Sequence, residues 1–180
     1  MKVIMGKLKE WYEDCSAVAA VEAAFVFPIL LIMLVGVFDI GNAIIMNQKT
    51  IRASQVTADL ISRNREVDDL IVGEAIAAGR LAYEPITPTS YGVDVVSIRF
   101  DQAGTPSIVW RETQGMSPMS NVLTDVAALS APDSGVLVVG VEYNYQPFFA
   151  GFMVSDIAMH EKAFARGRQS AVVCRQGMPC

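Results

Sequence analysis

The chain has 180 residues, a formal net charge of −5, and 52% hydrophobic against 18% charged residues. Soluble domains run at roughly 45–50% apolar and about 25% charged, so the excess points to a membrane segment. The acidic balance argues against a nucleic-acid surface, which needs a clustered basic footprint rather than the sparse Arg166, Arg168 and Arg175.

Residues 1–15 form a short leader carrying Lys2, Lys7 and Lys9. From 16 to 46 the only charged residues are Glu22 and Asp39, and 23–38 is an unbroken uncharged run, AAFVFPILLIMLVGVF. As a helix, residues 16–38 rise about 34 Å at roughly 1.5 Å per residue. That spans a hydrocarbon core of about 30 Å with modest tilt. A signal peptide would be shorter and end in a small-residue cleavage site; here the apolar pattern continues through Phe38-Asp39-Ile40-Gly41. A buried soluble helix is rarely apolar all round. Pro28 removes one backbone donor inside the run and tends to bend it. Gly36 and Gly41 offer places for close helix approach. Glu22 is a costly group for a membrane helix. It either sits at the headgroup boundary without further role or neutralises a positive charge on another subunit. Lys49, Arg52, Arg63 and Arg65 follow the segment, so charge alone leaves orientation open. The short leader and the cysteine usage favour a cytoplasmic N-terminus.

Residues 47–62 read as the same helix continuing, with Ile51, Val56, Leu60 and Ile61 near one side. A second helix is predicted over 68–83, with Asp68 and Asp69 at its positive end. Its expected buried stripe is Ile71, Ala75, Ala78 and Ala82, flanked by Leu70 and Leu81, and Pro85 and Pro88 end it. The period then changes to two. Val96, Ile98 and Phe100 alternate in 93–101, a turn follows at Gln102-Ala103-Gly104, and Ile108 and Trp110 alternate in 107–112, which reads as a hairpin. A short helix is expected over 121–129. Residues 135–145 are the clearest strand, with Leu137, Val139, Val141, Tyr143 and Tyr145 on one face. Residues 164–172 read as a fourth strand.

Cys174 and Cys180 close a short loop at the end of the chain and in an oxidising space either form one disulfide or remain two thiols in a frayed tail, while Cys15 stays on the other side. The single histidine, His160, precedes Glu161 without the second His of a zinc-protease motif. No phosphate-binding Gly-rich loop and no G-x-S-x-G elbow occurs. The reading is therefore of a non-enzyme with no cofactor and no metal. Tyr143, Tyr145, Phe148, Phe149 and Phe152 make the densest aromatic region, read either as core and strand-end packing or as an interaction surface.

The stretch SAVAAVEAAFVFP at 16–28, the Ile/Leu run after it and GVFDIG at 36–41 resemble the N-terminus of TadE-like proteins. Those read as a small residue, AVEFALV, a Pro, a Leu-rich run and a G-x-x-[ED]-x-[GS] exit. More weakly, 52–81 looks like the family's following helices, 141–148 like its late strand and 163–174 like its closing segment. The resemblance implies a role in assembling a tight-adherence (Flp-type) pilus and, in some members, cleavage by a prepilin peptidase five positions before a Glu. That places Ala17 before the cut and Val18 first in the mature chain. Here Ala17 stands where that peptidase usually meets Gly, and Ala23 where an aromatic usually follows the Glu. If cut, Glu22 would pair with the α-amine of Val18 on an adjacent subunit; if uncut, residues 1–15 remain as a cytoplasmic tail.

Together these readings predict an α+β chain on a pilin-like plan: a long N-terminal transmembrane helix, a second amphipathic helix and a small antiparallel sheet. The expected organisation is a cytoplasmic leader at 1–15, a transmembrane helix with a membrane-proximal extension at 16–46 and a periplasmic α+β domain at 47–180. The expected function is a minor pseudopilin in the bacterial inner membrane. Its helix would pack through Glu22, Pro28, Gly36, Asp39 and Gly41. Its partners would be other pseudopilins, the inner-membrane assembly platform, a prepilin peptidase and membrane lipid. The alternative is a membrane-tethered periplasmic binding or envelope-maintenance module whose helix is a mere anchor.

Overall fold

The computed structural model describes residues 16–149, 151 and 155–180, without the side chains of Ser16 and Ala17. The expected leader, Cys15 and Phe152 lie outside the described residues.

One continuous helix, α1 (Ser16–Ser62), carries the apolar run and its extension. Its two halves have different surfaces. Every residue from 18 to 34 is exposed. Further on, Asp39, Met46, Thr50, Ala53, Ser54, Thr57, Ala58, Ile61 and Ser62 are buried. Most of these recur at intervals of three and four, which places them on one side of a helix. The expected inner side was Ile51, Val56, Leu60 and Ile61, of which only Ile61 is fully buried. The stripe that replaces it is short and hydroxylated, and most of its hydroxyls are satisfied within the helix, while Thr57 Oγ1 donates across to the Ala75 carbonyl at 3.3 Å. Thr50 Oγ1 donates to the Met46 carbonyl at 2.9 Å, Ser54 Oγ to Ile51 at 2.8 Å and Ser62 Oγ to Asp59 at 3.0 Å.

Short side chains let a second helix come close. Strand β1 (Glu66–Val67) leads into α2 (Asp69–Arg80), and a 3-10 turn, Leu81–Tyr83, follows. Asp68 is the N-cap, its Oδ1 accepting the Ile71 amide at 2.7 Å. At Gly79 a Cβ would lie 2.1 Å from Thr57 Oγ1 and 3.0 Å from the Ala53 carbonyl oxygen. The helix therefore turns its glycine to α1. This centres the buried face on Val72, Ala75, Ile76 and Gly79; of the expected stripe Ala75 is buried, Ile71, Ala78 and Ala82 are half-buried with Ile71 and Ala82 packed against the core, and the flanking Leu70 and Leu81 are exposed. Tyr83 is then buried against α1: its hydroxyl donates to Thr50 Oγ1 at 2.8 Å, and Lys49 Nζ donates to the Tyr83 and Glu84 carbonyls at 2.7 and 2.8 Å. Burial pushes the Tyr83 phenol up to about 12.

Four antiparallel strands form the main sheet, in the order β3 (Pro106–Gln114), β2 (Gly92–Phe100), β4 (Gly135–Tyr145), β5 (Ile157–Ala165). Helices α1 and α2 cover one face. Leu137, Val139, Val141, Tyr143 and Tyr145 of β4, with Val93 and Val95 of β2, join them in the larger core. The other face has its own core: Val96, Ile98, Phe100, Val136 and Val138 pack under Val122 and Val126. These two come from the short helix α3 (Val122–Asp125) and the residue after it. The central strands β2 and β4 are thus buried on both sides, which is why their sequences are Val-rich throughout. On this second face Asp94 is fully buried. Its carboxylate accepts from Arg111 through both Nε, at 2.9 Å, and Nη2, from Thr113 Oγ1 at 2.7 Å and from the Met119 amide at 2.8 Å. Burial alone would raise the Asp94 carboxyl; these hydrogen bonds outweigh it and hold the carboxyl below its ordinary value.

The fourth strand lies earlier than the sequence pattern suggested. Strand β5 pairs with β4 from Tyr145↔Ile157 to Leu137↔Ala165, whereas 166–172 is bends and irregular chain. The edge position explains the miss: only Met159 and Ala163 of β5 are buried, so its alternation is faint. The apolar residues Val172 and Val173 are buried as a plug instead. Trp110 Nε1 and Ser97 Oγ both donate to the Val173 carbonyl, at 2.8 and 2.7 Å. The tail ends in β6 (Cys174–Arg175), which pairs in parallel with β1. A disulfide joins Cys174 to Cys180, with Cα atoms 5.4 Å apart.

Candidate membrane-helix packing site

Apart from Glu22, the residues that α1 presents before it reaches the sheet are apolar, and from 18 to 34 all are exposed. It is the one helix among the described residues long and apolar enough to cross a membrane, and none of its most apolar window is buried by the rest of the chain. At about 1.5 Å per residue, residues 18–38 rise about 31 Å, close to a hydrocarbon core of about 30 Å. In water such a surface would be a liability; in lipid it needs no cover, because the helix satisfies its own backbone.

Val18 and Glu22 are both exposed and, four residues apart, share one side of the helix. The helix runs through Pro28 without a break, although the missing amide leaves the Ala24 carbonyl without its usual donor. A Cβ at Gly36 or Gly41 would meet nothing within 4 Å. Among the described residues the close approach these glycines permit is therefore unused, and the space over them is open to another helix. Gly36, Asp39, Ile40, Ile44, Tyr145 and Ile157 are among the residues lining a mostly apolar groove of about 710 Å³, where α1 passes the end of the sheet.

Asp39 does something that the apolar pattern around it did not announce. It is buried and ties the helix to the loop after β4. Its Oδ1 accepts the Phe148 amide at 3.1 Å, and its Oδ2 accepts the Phe149 amide at 3.1 Å. The Tyr145 hydroxyl donates to the Asp39 carbonyl oxygen at 3.3 Å. Burial, followed by the nearby Asp39 charge, pushes the Tyr145 phenol up. The sequence placed Asp39 among helix-packing residues; the structure shows it bonding within its own chain. The only advance signal was an acidic residue inside a stretch otherwise suited to lipid.

The aromatic region divides. Tyr143 and Tyr145 are core residues, 7% and 6% exposed, because the inner face of β4 meets α1. Phe148 and Phe149 are 78% and 44% exposed. The Phe149 ring stands edge-on to Phe38 of α1, with centroids 5.5 Å apart, and Phe148 stacks edge-on to Phe149 at 4.8 Å. His160 lies on the outer side of β5, with Nδ1 3.6 Å from Glu142 Oε2. Among the described residues no group of three or more His, Cys, Asp or Glu is placed to hold a metal ion.

Residues 17–59 match the family model described as TadE-like protein. No curated protein and no solved structure matches the chain. The matched stretch takes in both the bare half of α1 and most of the half that packs on the sheet. Over residues 17–59 the chain is similar to TadE-like proteins.

Proposed function

We propose that this protein is a minor pseudopilin of a tight-adherence pilus, a structural subunit rather than an enzyme. It sits in the bacterial inner membrane with its N-terminus in the cytoplasm and its α+β head in the periplasm. The observation that supports this reading best is a membrane-length apolar helix carrying the TadE-like match, with open space over Gly36 and Gly41 and a groove beside them. Small residues at such positions let backbones approach and gain dispersion energy where lipid offers no hydrophobic driving force. Glu22 adds one ion pair to a neighbouring subunit in this scheme, a partner being what an intramembrane carboxylate requires.

The test separates packing from mere anchoring. Gly36→Leu fills the open space over the glycine, where an added Cβ meets nothing within 4 Å, so the chain should insert and stay folded while surface pili are lost. Glu22→Ala should likewise impair pilus formation while leaving the protein in the membrane. If pili form normally with Gly36→Leu, and again when the whole apolar run is replaced by an unrelated anchor, the helix is only a tether.

A further inference from the structure

The loop after β4 carries two exposed aromatic rings, Phe148 and Phe149, beside the point where α1 leaves its bare stretch. We propose that this tip, Phe148 and Phe149 together with Phe38, is a second membrane contact that rests in the headgroup layer of the bilayer spanned by α1. The inference rests on the membrane span and not on the pilus role.

Three observations carry it. The first is depth: residues 18–38 rise about 31 Å, so when the bare run fills the hydrocarbon core Phe38 lies at its edge. The rings of Phe149 and Phe38 touch there, so the loop tip stands at the same level. The second is chemistry. Aromatic residues are favoured at the membrane–water interface, and amphipathic surface elements bury their Phe, Trp and Leu side chains there. Phe148 packs edge-on against Phe149 and is the more exposed of the pair. The third is the backbone. An amide left without a partner near hydrocarbon is costly. The amides of Phe148 and Phe149 are the ones Asp39 takes, so the two rings stay exposed while these two amides turn to α1. The acidic residue in the apolar exit of the helix thereby becomes the positioning residue of an interfacial anchor. Two contacts, helix and tip, fix the tilt and rotation of the head on the membrane, which a single helix leaves free.

The test uses the full-length chain in vesicles of phosphatidylethanolamine and phosphatidylglycerol, with no other protein. The photoreactive residue p-benzoylphenylalanine replaces Phe148 in one sample. In a control it replaces Phe164, an exposed residue on β5 that lies seven positions beyond Ile157, about 23 Å along the strand. After irradiation, intact mass reports covalent lipid adducts, and flotation of the same sample reports anchoring. The expected result is a lipid adduct at 148 at about tenfold the yield at 164, as for a side chain in the interface against one in water. Equal yields at the two positions overturn the proposal. So does an adduct at 148 joining a second copy of the chain in place of lipid, since the rings then meet protein. A chain that does not float with the vesicles overturns the membrane reading as a whole. Pilus assembly enters none of these outcomes, so failure here and failure of the assembly role are separately visible.

Discussion

Replacing Asp39 with alanine should release the loop after β4 while leaving the sheet intact. The carboxylate is buried and accepts the Phe148 and Phe149 amides at 3.1 Å each. Hydrogen bonds to a charged group contribute about 1.5–3 kcal/mol each. In Asp39→Ala the freed amides can turn to the water of the headgroup layer, so the net local loss is nearer about 2–3 kcal/mol than the sum. At about 1.4 kcal/mol per factor of ten, local opening should become ~30–140 times more frequent. Amide hydrogen exchange of the full chain in micelles reads this directly. Exchange at Phe148 and Phe149 should accelerate by that factor, while amides of β2 and β4, whose opening follows the global stability, keep their protection. Unchanged exchange at the two phenylalanines would refute the role given to Asp39. A uniform loss of protection across the sheet would show that it acts on the whole fold instead.

Asp94→Ala should be among the most destabilising single changes, at about 3–5 kcal/mol, because it leaves Arg111 without its buried partner; thermal or urea unfolding in micelles measures it. The same carboxyl is held below its ordinary value in the fold. Its stabilising contribution is therefore full above the unfolded value of about 4 and is lost as pH falls through the lower folded value. Wild type should lose melting temperature below about pH 4, and the Asp94→Ala variant should lose less over the same range. Gly79→Ala places a methyl against Thr57 and the Ala53 carbonyl and should cost about 1–3 kcal/mol as overpacking. Gly79→Ala combined with Thr57→Ala should recover part of that cost, and no recovery in the same unfolding measurement would show that the strain lies elsewhere.

Much of this molecule was legible because it depends on local pattern. The bare half of α1 needs only a run of apolar residues of sufficient length, since lipid rather than a partner element receives it. Asp68 as a cap and the alternation of β4 are likewise decided within a few residues, by an oxygen near free amides and by the two-residue pleat. Tertiary structure decided everything that depends on which surface meets which. Short side chains at Ala53 and Thr57 drew Gly79 inward and set the centre of the buried face of α2. Strand β5 is placed by its ladder to β4 rather than by its weak alternation. Strand β6 finds β1 across the whole length of the head, matching Glu66 to Cys174 and Val67 to Arg175, and no periodicity in either short segment encodes that. At Asp39 the two kinds of information meet. The sequence shows a charge where the helix leaves its apolar run, and only the folded chain shows that two backbone amides from more than a hundred residues away are what that charge holds.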